Sequence, residues 1–370
     1  MYFSFFFSAD VIVISGAIRL VHQCFSMFAD IFIAALLHPL IMGKIRVASL
    51  FAGIGGICLG FKQAGAEIVY ANEIDPYACQ TYRHNFDGAP YLSEGDVYQE
   101  HLSDDDHIDI IAAGFPCQAF SIAGYRKGFE DERGVLYTQV HRLIEECHPK
   151  AVFLENVKNL LSHNRGETYK TIRASLEDLG YAVDQRVFNT MEYGNIPQNR
   201  ERIYVVAFRK EPDGSCPMMD RFTFPEPVEL TTTIHDIIDY HEEKPSEFYY
   251  QPDHIYYNKL NQAMTNQDTI YQWRRVYVRE NKSNVCPTLT ANMGCGGHNV
   301  PIIRDDFGIR KLTPEECLAF QGFPADYSFP DMAKSHKYKQ AGNSVSVPVI
   351  RRIASKMLNA IGYDCSEPGA

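Results

Sequence analysis

One cysteine of this chain stands where a reactive thiol would be placed. The sequence holds ten cysteines, and a lone cysteine in a protein is most often buried and inert. Cys117 differs because it follows an apolar run at 109–113 and the turn Gly114-Phe115-Pro116, so we expect it to face a ligand crevice. A nucleophilic thiol must be partly exposed and close to positive charge. The position of Cys117 therefore predicts a nucleophile.

A second turn, Phe51-Ala52-Gly53-Ile54-Gly55-Gly56, has the composition of a ligand loop. Glycines between a strand and a helix let a ligand approach the backbone and expose the helix amides. Cys58 occupies the position of the third glycine of the dinucleotide fingerprint, and no arginine-rich phosphate clamp is near. The loop therefore favours a nucleoside without a pyrophosphate over NAD, although a tight packing turn would carry the same glycines.

Two acidic residues follow the glycine loop at strand ends. Glu73 lies at roughly the 20-residue spacing where an acid binds ribose hydroxyls. Asp96, in Glu94-Gly95-Asp96-Val97, ends another candidate strand. Its carboxylate would either bond an adenine amino group or cap a turn.

A further acid and two arginines flank later apolar runs. Glu155-Asn156-Val157 ends the run at 151–154, and Gln198-Asn199-Arg200-Glu201-Arg202 leads into the run at 202–208. Each feature alone would suit a surface ion pair. Together they put an acid and two guanidinium groups beside the sheet edge that carries Cys117.

The elements between these motifs indicate an α/β fold. Apolar runs at 45–50, 67–71, 109–113, 151–154 and 202–208 alternate with helical stretches, which is typical of a mainly parallel sheet covered on both faces. In such sheets ligands bind beyond the carboxyl ends of the strands. The motifs are therefore expected to form one site at that edge.

Later in the chain, Thr313 is expected to cap a helix that begins at Pro314.

Two segments differ in amino-acid composition from the rest of the chain. Residues 1–41 are apolar and aromatic, but charged residues and histidines interrupt them, and no apolar run reaches the roughly 20 residues of a membrane span. We expect this segment to be a non-native or poorly ordered extension ahead of a start at Met42, with a membrane-associated helix as the alternative. Residues 211–300 are rich in Pro, Tyr, Asn, Asp and Thr and are expected to form a loop-rich second lobe.

The overall composition narrows the class of protein. A net charge of −11 argues only weakly against nucleic-acid binding, because binding depends on a local basic face. The cysteines form no CxxC pair, which favours reduced thiols in a cytoplasmic protein. Cys286, Cys295 and His298 have no fourth ligand nearby, so we predict no metal site.

Six signatures in this order resemble the DNA cytosine-5 methyltransferase family, of the bacterial restriction–modification type. The resemblance runs from about Ile45 to Ile353, with Ser49 where many members have Asp, Ala119 where many have Pro, and Ile74 where some stack an aromatic ring on adenine. The signatures are SLFAGIGG at 49–56, GFPCQAFSIAGYRKGFEDERG at 114–134, ENV at 155–157, QNRER at 198–202, RKLTPEECLAFQGFP at 310–324 and QAGNSVSVPVI at 340–350.

The resemblance implies a Rossmann-like fold that binds S-adenosylmethionine, with a smaller loop-rich target-recognition lobe. It divides the chain into a catalytic and cofactor-binding domain, residues 44–210 plus 335–363, and a recognition lobe at 211–334. It implies methyl transfer to carbon 5 of a cytosine that is flipped out of a specific duplex DNA sequence. The chain does not reveal that sequence.

Covalent catalysis suits this reaction because carbon 5 of cytosine is a poor nucleophile. The Cys117 thiolate would add to carbon 6, protonated Glu155 would stabilise the developing charge through ring nitrogen 3, and Arg202 would hold the base oxygen. The motifs and the resemblance together assign catalytic roles to Cys117, Glu155, Arg200 and Arg202; cofactor contacts to Phe51, Gly53, Ile54, Gly55, Gly56, Glu73, Ile74, Asp96, Pro116 and Asn343; and DNA contacts to Gln118, Ser121, Arg126, Lys127, Arg133, Arg274 and Arg275.

Basic and aromatic residues interleave in the second lobe. This combination suits phosphate anchoring and the reading of base edges, although Trp273 would equally serve the core of the lobe. Thr288-Leu289-Thr290 resembles a short element of the family's recognition lobes. The interleaved residues are Tyr271, Trp273, Arg274, Arg275, Tyr277, Arg279 and Lys282.

The expected partners are double-stranded DNA and a restriction endonuclease that acts on the same site, and we expect a cytoplasmic monomer without a membrane partner.

Three alternative functions are a tRNA cytosine-5 methyltransferase, a DNA-binding protein with an inactive catalytic domain, and an NAD-dependent oxidoreductase. The long lobe before RKLTPEEC favours DNA over tRNA. The intact ENV and QNRER signatures argue against an inactive domain, and the missing third glycine argues against NAD.

Overall fold

The structure is a computed structural model that describes residues 43–89, 91–116, 135–274, 276–281, 283–293 and 300–363. The fold described here belongs to the unit that spans Ile45–Ala370. Across the described ranges, no helix is both long and apolar enough to cross a membrane. The expectations for residues 1–41 lie outside the described residues.

A seven-stranded sheet forms the centre of the fold, in the order β3-β2-β1-β4-β5-β8-β6. Strands β3, β2, β1, β4 and β5 pair in parallel, which confirms the predicted parallel arrangement and the α/β class. The strands are β1 Arg46–Leu50, β2 Glu67–Glu73, β3 Leu92–Glu94, β4 Ile110–Ala113, β5 Ala151–Val157, β6 Tyr181–Asn189, β7 Gln198–Asn199 and β8 Glu201–Arg209, of which β7 lies outside this sheet.

Strand β8 departs from the parallel pattern, since it runs antiparallel to β5 and to β6. Its first residues therefore lie at the edge where the parallel strands end. In the β5–β8 register Val157 is paired with Arg202. The reversal brings QNRER to the same edge as ENV, as the sequence analysis expected, although the direction of β8 itself was not predicted.

Helices cover both faces of the sheet. Helices α1 and α10 pack against one apolar cluster, which includes Val47 of β1, and α3 and α4 pack against a second, which includes Ala48. Successive strand residues point to opposite faces, so buried apolar runs fill both layers. The helices are α1 Gly56–Gln63, α2 Pro76–Asn85, α3 Val135–Cys147, α4 Glu167–Asp178, α5 Thr190–Tyr193, α6 Pro217–Arg221, α7 Tyr257–Ala263, α8 Pro314–Ala319, α9 Lys334–Asn343 and α10 Val347–Ile361.

Helix α8 begins as predicted. The Thr313 hydroxyl accepts a hydrogen bond from the Glu316 amide at 3.2 Å, and the Glu316 carboxylate accepts one from the Thr313 amide at 2.7 Å. This reciprocal pair is a capping box, with Pro314 in the first turn. Glu316 also accepts two hydrogen bonds from the fully buried Arg310, each 2.8 Å long.

The region after residue 210 has long irregular stretches and a small antiparallel sheet in the order β10-β9-β12-β13. Trp273 of β9 is buried and packs with Tyr250, Leu260 and Ile302 in a separate apolar cluster. Trp273 is therefore a core residue rather than a surface one. The remaining strands are β9 Tyr271–Arg274, β10 Tyr277–Glu280, β11 Cys286–Pro287, β12 Pro301–Arg304 and β13 Ile309–Lys311.

Candidate active site

A cavity of about 650 Å³ lies at the carboxyl ends of the parallel strands. Its walls come from the loop after β1, the ends of β2, β4 and β5, the start of β8 and the end of α9. Most of the described residues that were predicted to form a site line this one cavity, namely Phe51, Gly53, Ile54, Gly56, Glu73, Ile74, Asp96, Pro116, Glu155, Arg200, Arg202 and Asn343.

The glycine loop turns sharply between β1 and α1. Phe51, Gly53 and Gly55 have φ angles of 54°, 56° and 83°, a left-handed conformation that glycine adopts without strain. A side chain at Gly53 would meet open space, whereas one at Gly55 would overlap the rings of Phe86 and Tyr82. Gly55 is not among the lining residues; its position against these rings gives it a packing role, and its cofactor contact stays a prediction.

The Glu73 carboxylate ties the glycine loop to the end of β2. It accepts hydrogen bonds from the backbone amides of Gly53 (2.8 Å), Ile74 (2.9 Å) and Asp75 (2.7 Å). Each carboxylate oxygen has more than one lone pair, so Glu73 can still accept from a ligand. The adjacent side chain of Ile74 is 65% exposed and lines the cavity, which leaves an apolar surface for a flat ring.

Asp96 caps a short turn and also faces the cavity. Its side chain accepts a hydrogen bond from the Tyr98 amide at 3.1 Å, so the predicted capping role is confirmed. The residue is exposed and lines the cavity, and one carboxylate oxygen remains available to a ligand. Asp96 can therefore cap the turn and still accept a hydrogen bond from a ligand.

Glu155 and Arg202 form a buried pair at the inner end of the cavity. Glu155 Oε1 lies 3.2 Å from Arg202 Nε, with side chains 10% and 14% exposed. Among the described residues this oxygen has no hydrogen-bond partner of good geometry. Burial raises the pKa of Glu155, and the charges of Arg202 and Arg200 oppose the rise only in part. The carboxyl group is thus disposed to hold a proton.

Asn156 fixes the turn that leads to Cys117. Its side-chain amide donates a 2.8 Å hydrogen bond to the carbonyl of Phe115. Pro116, the next residue, lines the cavity. The role of Asn156 was not predicted, because it depends on the pairing of β4 with β5 and not on local sequence.

Arg200 lines the cavity and also contacts the backbone of three other residues. Its guanidinium group donates to the backbone carbonyls of Leu289 (2.8 Å), Gly342 (3.4 Å) and Ser344. Burial, and next the charge of Arg202, lower the pKa of Arg200 to about 9. With two of its nitrogens engaged by main-chain carbonyls, Arg200 joins three segments beside the cavity, and its catalytic role stays a prediction.

The segment Thr288-Leu289-Thr290 lies against the QNRER and GNSV segments. The Thr288 hydroxyl donates a 2.6 Å hydrogen bond to Asn199 O, and β11 pairs in parallel with β7. A side chain at Gly342 would overlap the backbone of Thr290. Residues 288–290 are thus held beside the cavity by a close backbone contact.

Most of the predicted DNA contacts lie outside the described residues. Arg274 is described, and it is half-buried at the end of β9, beside the exposed Val276 and Tyr277. Within the described part of the chain no group of His, Cys, Asp and Glu side chains is arranged to hold a metal ion. The predicted residues that are not described are Cys117, Gln118, Ser121, Arg126, Lys127, Arg133 and Arg275, together with Lys282, Cys295 and His298.

Solved structures share this fold. The S. pombe Dnmt2 methyltransferase aligns with a TM-score of 0.65 at 21% identity, covering 86% of this chain and 100% of that one. A putative DNA modification methyltransferase encoded within an E. coli prophage aligns with a TM-score of 0.59 at 22% identity, covering 86% and 99%. The fold therefore has the α/β architecture that these methyltransferase structures share.

The sequence comparisons narrow this class to one family. The model of the C-5 cytosine-specific DNA methylases matches residues 45–359. The chain is 52% identical over 320 residues to the type II methyltransferase M.Bsp6I of Bacillus sp. (strain RFL6), covering 86% of this chain and 99% of the relative. It is 36% identical to M.HhaI of Haemophilus parahaemolyticus, covering 86% and 96%.

The chain therefore belongs to the C-5 cytosine-specific DNA methylase family. It transfers a methyl group from S-adenosylmethionine to carbon 5 of cytosine in DNA, through a covalent intermediate on a flipped-out base. The predicted cofactor, reaction and DNA substrate are confirmed.

Proposed function

We propose that Cys117 is the nucleophile of this reaction and that Glu155 and Arg202 act on the cytosine ring beside it. The observation that carries the proposal is the buried Glu155–Arg202 pair, which lines the same cavity as Pro116, the residue before Cys117. A nucleophile, an acid and a cation at one sheet edge are the groups that addition to carbon 6 requires.

In the first step the Cys117 thiolate forms a bond to carbon 6, and the ring electrons move toward carbon 5 and nitrogen 3. Protonated Glu155 donates a hydrogen bond to nitrogen 3, and Arg202 holds the base oxygen. The cofactor, when bound, supplies an electrophilic methyl group to carbon 5. The carbon 5 proton is then lost to solvent water, which returns the electrons to the ring and expels Cys117 as the thiolate.

The cavity residues suit the cofactor. We assign the ribose hydroxyls to Glu73, the adenine amino group to Asp96 and the adenine face to Ile74. The exposed Asn343 at the end of α9 lines the cavity as well. The glycine loop, whose Gly53 leaves open space toward the cavity, would admit the rest of the nucleoside.

For the DNA, we propose that 211–334 is the target-recognition lobe. The catalytic domain would comprise 44–210 and 335–363. Helix α8 and the segment after it lie against the catalytic domain, since the Tyr327 hydroxyl donates to the carbonyl of Ile54 and Asn85 bonds Ser328. The proposed boundary at residue 334 is therefore a division of the sequence, because residues before it contact the catalytic domain.

The type II names of the relatives support a restriction–modification role. We propose that the enzyme works as a cytoplasmic monomer alongside an endonuclease that cleaves the same, unmethylated sequence. Protection of DNA from a co-expressed endonuclease would test the pairing, and sedimentation would test the monomer. N-terminal sequencing and the intact mass of the natural protein would test the prediction for residues 1–41.

The decisive experiment replaces the nucleophile. Cys117→Ser should abolish methylation of duplex DNA and covalent trapping on 5-fluorocytosine DNA, with cofactor and DNA binding largely intact. Cys216→Ser, which alters a cysteine remote from the cavity lining, is the matched control and should retain activity. Loss of methylation, cofactor binding and DNA binding together in Cys117→Ser would instead indicate a structural cysteine.

Bisulfite sequencing of DNA from cells that express the wild-type protein would identify the methylated cytosine and its sequence context. Protection of cytosine within one recurring sequence is expected from a dedicated recognition lobe. Methylation without any sequence preference would contradict the role proposed for residues 211–334.

A further inference from the structure

The turn that carries Asp96 rests on a carboxylate that does not itself line the cavity. Glu100 Oε1 accepts hydrogen bonds from Ser93 Oγ (2.7 Å) and Asn72 Nδ2 (3.3 Å), while Oε2 accepts from the Tyr70 hydroxyl. Glu100 lies outside the cavity lining. The Glu100 side chain therefore accepts hydrogen bonds from Tyr70 and Asn72 of β2 and from Ser93 of β3.

Asn72 extends this network to the backbone of the turn. It is buried, lines the cavity, and donates a 3.0 Å hydrogen bond to the carbonyl of Gly95. A side chain at Gly95 would lie 3.2 Å from Glu100 Oε1, so the turn sits directly on the carboxylate. Burial, and next the hydrogen bond to Glu100, raise the pKa of Tyr70, which keeps its hydroxyl protonated as a donor.

A second set of contacts holds the other end of the same turn. Arg142 of α3 donates through Nη2 to the carbonyls of Val97 (3.2 Å) and Glu100 (2.8 Å). Asp96 itself is oriented by the Tyr98 amide. The carboxylate that faces the cavity is therefore fixed from both sides, although the residue is exposed.

We propose that Glu100 is a positioning residue that makes the cofactor site selective for adenine. Through Ser93 and Asn72 it fixes the Gly95–Asp96 turn, so that the Asp96 carboxylate meets the amino group on the adenine ring. A site held in place by its supporting hydrogen bonds discriminates more sharply than one on a free loop. The inference rests on the proposed assignment of Asp96 to the adenine.

The test compares two ligands that differ at one group. S-adenosylhomocysteine carries the amino donor, whereas S-inosylhomocysteine carries an oxygen acceptor there, which would face the Asp96 carboxylate unpaired. Dissociation constants from titration calorimetry should favour the adenosyl ligand by about tenfold or more in the wild-type protein. A role in general stability would change both constants alike and leave their ratio unaltered.

Glu100→Ala should lower this ratio at least threefold, because the turn loses its support. Glu100→Gln should preserve most of the ratio, since its amide oxygen can still accept from Ser93 and Asn72. Glu145→Ala, at an exposed position of α3, is the control and should leave the ratio unchanged. An unaltered ratio in folded Glu100→Ala would overturn the inference.

Two further variants cover the case in which Glu100→Ala does not fold and the case in which the assignment of Asp96 is wrong. If Glu100→Ala does not fold by circular dichroism, Ser93→Ala removes one of the two donors to Glu100 Oε1: a lowered ratio supports the inference and an unchanged ratio overturns it. Asp96→Ala separates the inference from the proposed function. If Asp96→Ala leaves the ratio at its wild-type value, the assignment of Asp96 fails; if it lowers the ratio and Glu100→Ala does not, only the role of Glu100 fails.

Discussion

The Lys339 ammonium donates a 2.7 Å hydrogen bond to the Asp75 carboxylate, joining two residues that are 264 positions apart in the chain. Both residues line the cavity, and their side chains are 49% and 23% exposed, so the pair lies at the rim of the cavity. Asp75 precedes α2 and Lys339 belongs to α9. The two helices also meet through stacked rings of Tyr77 and His336, with centroids 3.6 Å apart.

Breaking this rim contact should speed the release of the cofactor product. Lys339→Met is expected to raise the dissociation rate of S-adenosylhomocysteine two- to fivefold, the range for a partly exposed ion pair. Asp75→Asn should have a similar effect while it still caps α2, and the double variant should add little more. Stopped-flow displacement measures the rates. Lys337→Met on the same helix is the control, and an equal acceleration there would contradict the role of the pair.

The raised pKa of Glu155 makes activity depend on pH. Because burial favours the protonated form, the rate of methyl transfer should fall as pH rises through the pKa of Glu155. Glu155→Gln keeps a neutral group but has no proton to give to nitrogen 3, and we expect its kcat to drop about 100-fold or more. Single-turnover rates across pH measure this effect. A falling limb that persists unchanged in Glu155→Gln would assign it to another group.

The same shift links Glu155 to stability. A carboxyl group whose pKa is raised on folding binds its proton more tightly in the folded state, so the free energy of unfolding decreases as pH rises from the unfolded to the folded pKa. Urea unfolding at several pH values should show this decrease in the wild-type protein. The decrease should be smaller in Glu155→Gln, and identical slopes in both proteins would contradict the raised pKa.

Arg200 and Arg202 should separate into a structural and a catalytic role. Arg200→Met would leave the carbonyls of Leu289, Gly342 and Ser344 without their donor, which should lower the free energy of unfolding by about 2–4 kcal/mol. Arg202→Lys should reduce kcat with little effect on unfolding. Urea titration and single-turnover assays compare the two. A stable Arg200→Met protein without activity would instead indicate that Arg200 contacts the base.

Gly342 allows the backbone of Thr290 to approach the GNSV turn, and Gly342→Ala should disturb that approach. The added methyl group would overlap the backbone of Thr290, and overpacking of this kind costs about 1–3 kcal/mol. Thermal unfolding and the KM for DNA report the effect. Gly43→Ala, whose methyl group would meet open space, should behave as the wild-type protein. Normal stability and normal DNA affinity in Gly342→Ala would show that the contact can be relaxed without loss.

Ile74 offers an exposed apolar surface next to Glu73, and its substitution should change cofactor affinity. Ile74→Ala removes apolar area and should weaken S-adenosylhomocysteine binding about three- to tenfold. Ile74→Trp would place a flat ring against adenine and should strengthen binding by a similar factor. Calorimetry gives both constants. If neither variant differed from the wild-type protein, the adenine would not lie against this side chain.

Local sequence was sufficient for the elements and for the positions of most site residues. The apolar runs predicted the central strands, since buried parallel strands require apolar residues on both faces. The capping box at Thr313 and the glycine turn at 51–56 are also local, because their hydrogen bonds and backbone angles involve neighbours in the chain. The edge of the sheet on which ligands bind follows from the strand direction, which is why one cavity gathers the predicted residues.

Tertiary structure alone decided the roles that depend on distant partners. The sequence identified Arg200 and Arg202 together, but the reversed direction of β8 and the carbonyls of Leu289, Gly342 and Ser344 assign them different partners. The Lys339–Asp75 contact and the hydrogen bonds that Glu100 accepts from Tyr70 and Asn72 have no local pattern. A hydrogen bond between remote residues leaves no periodicity in the chain, so only the folded arrangement of strands and helices reveals it.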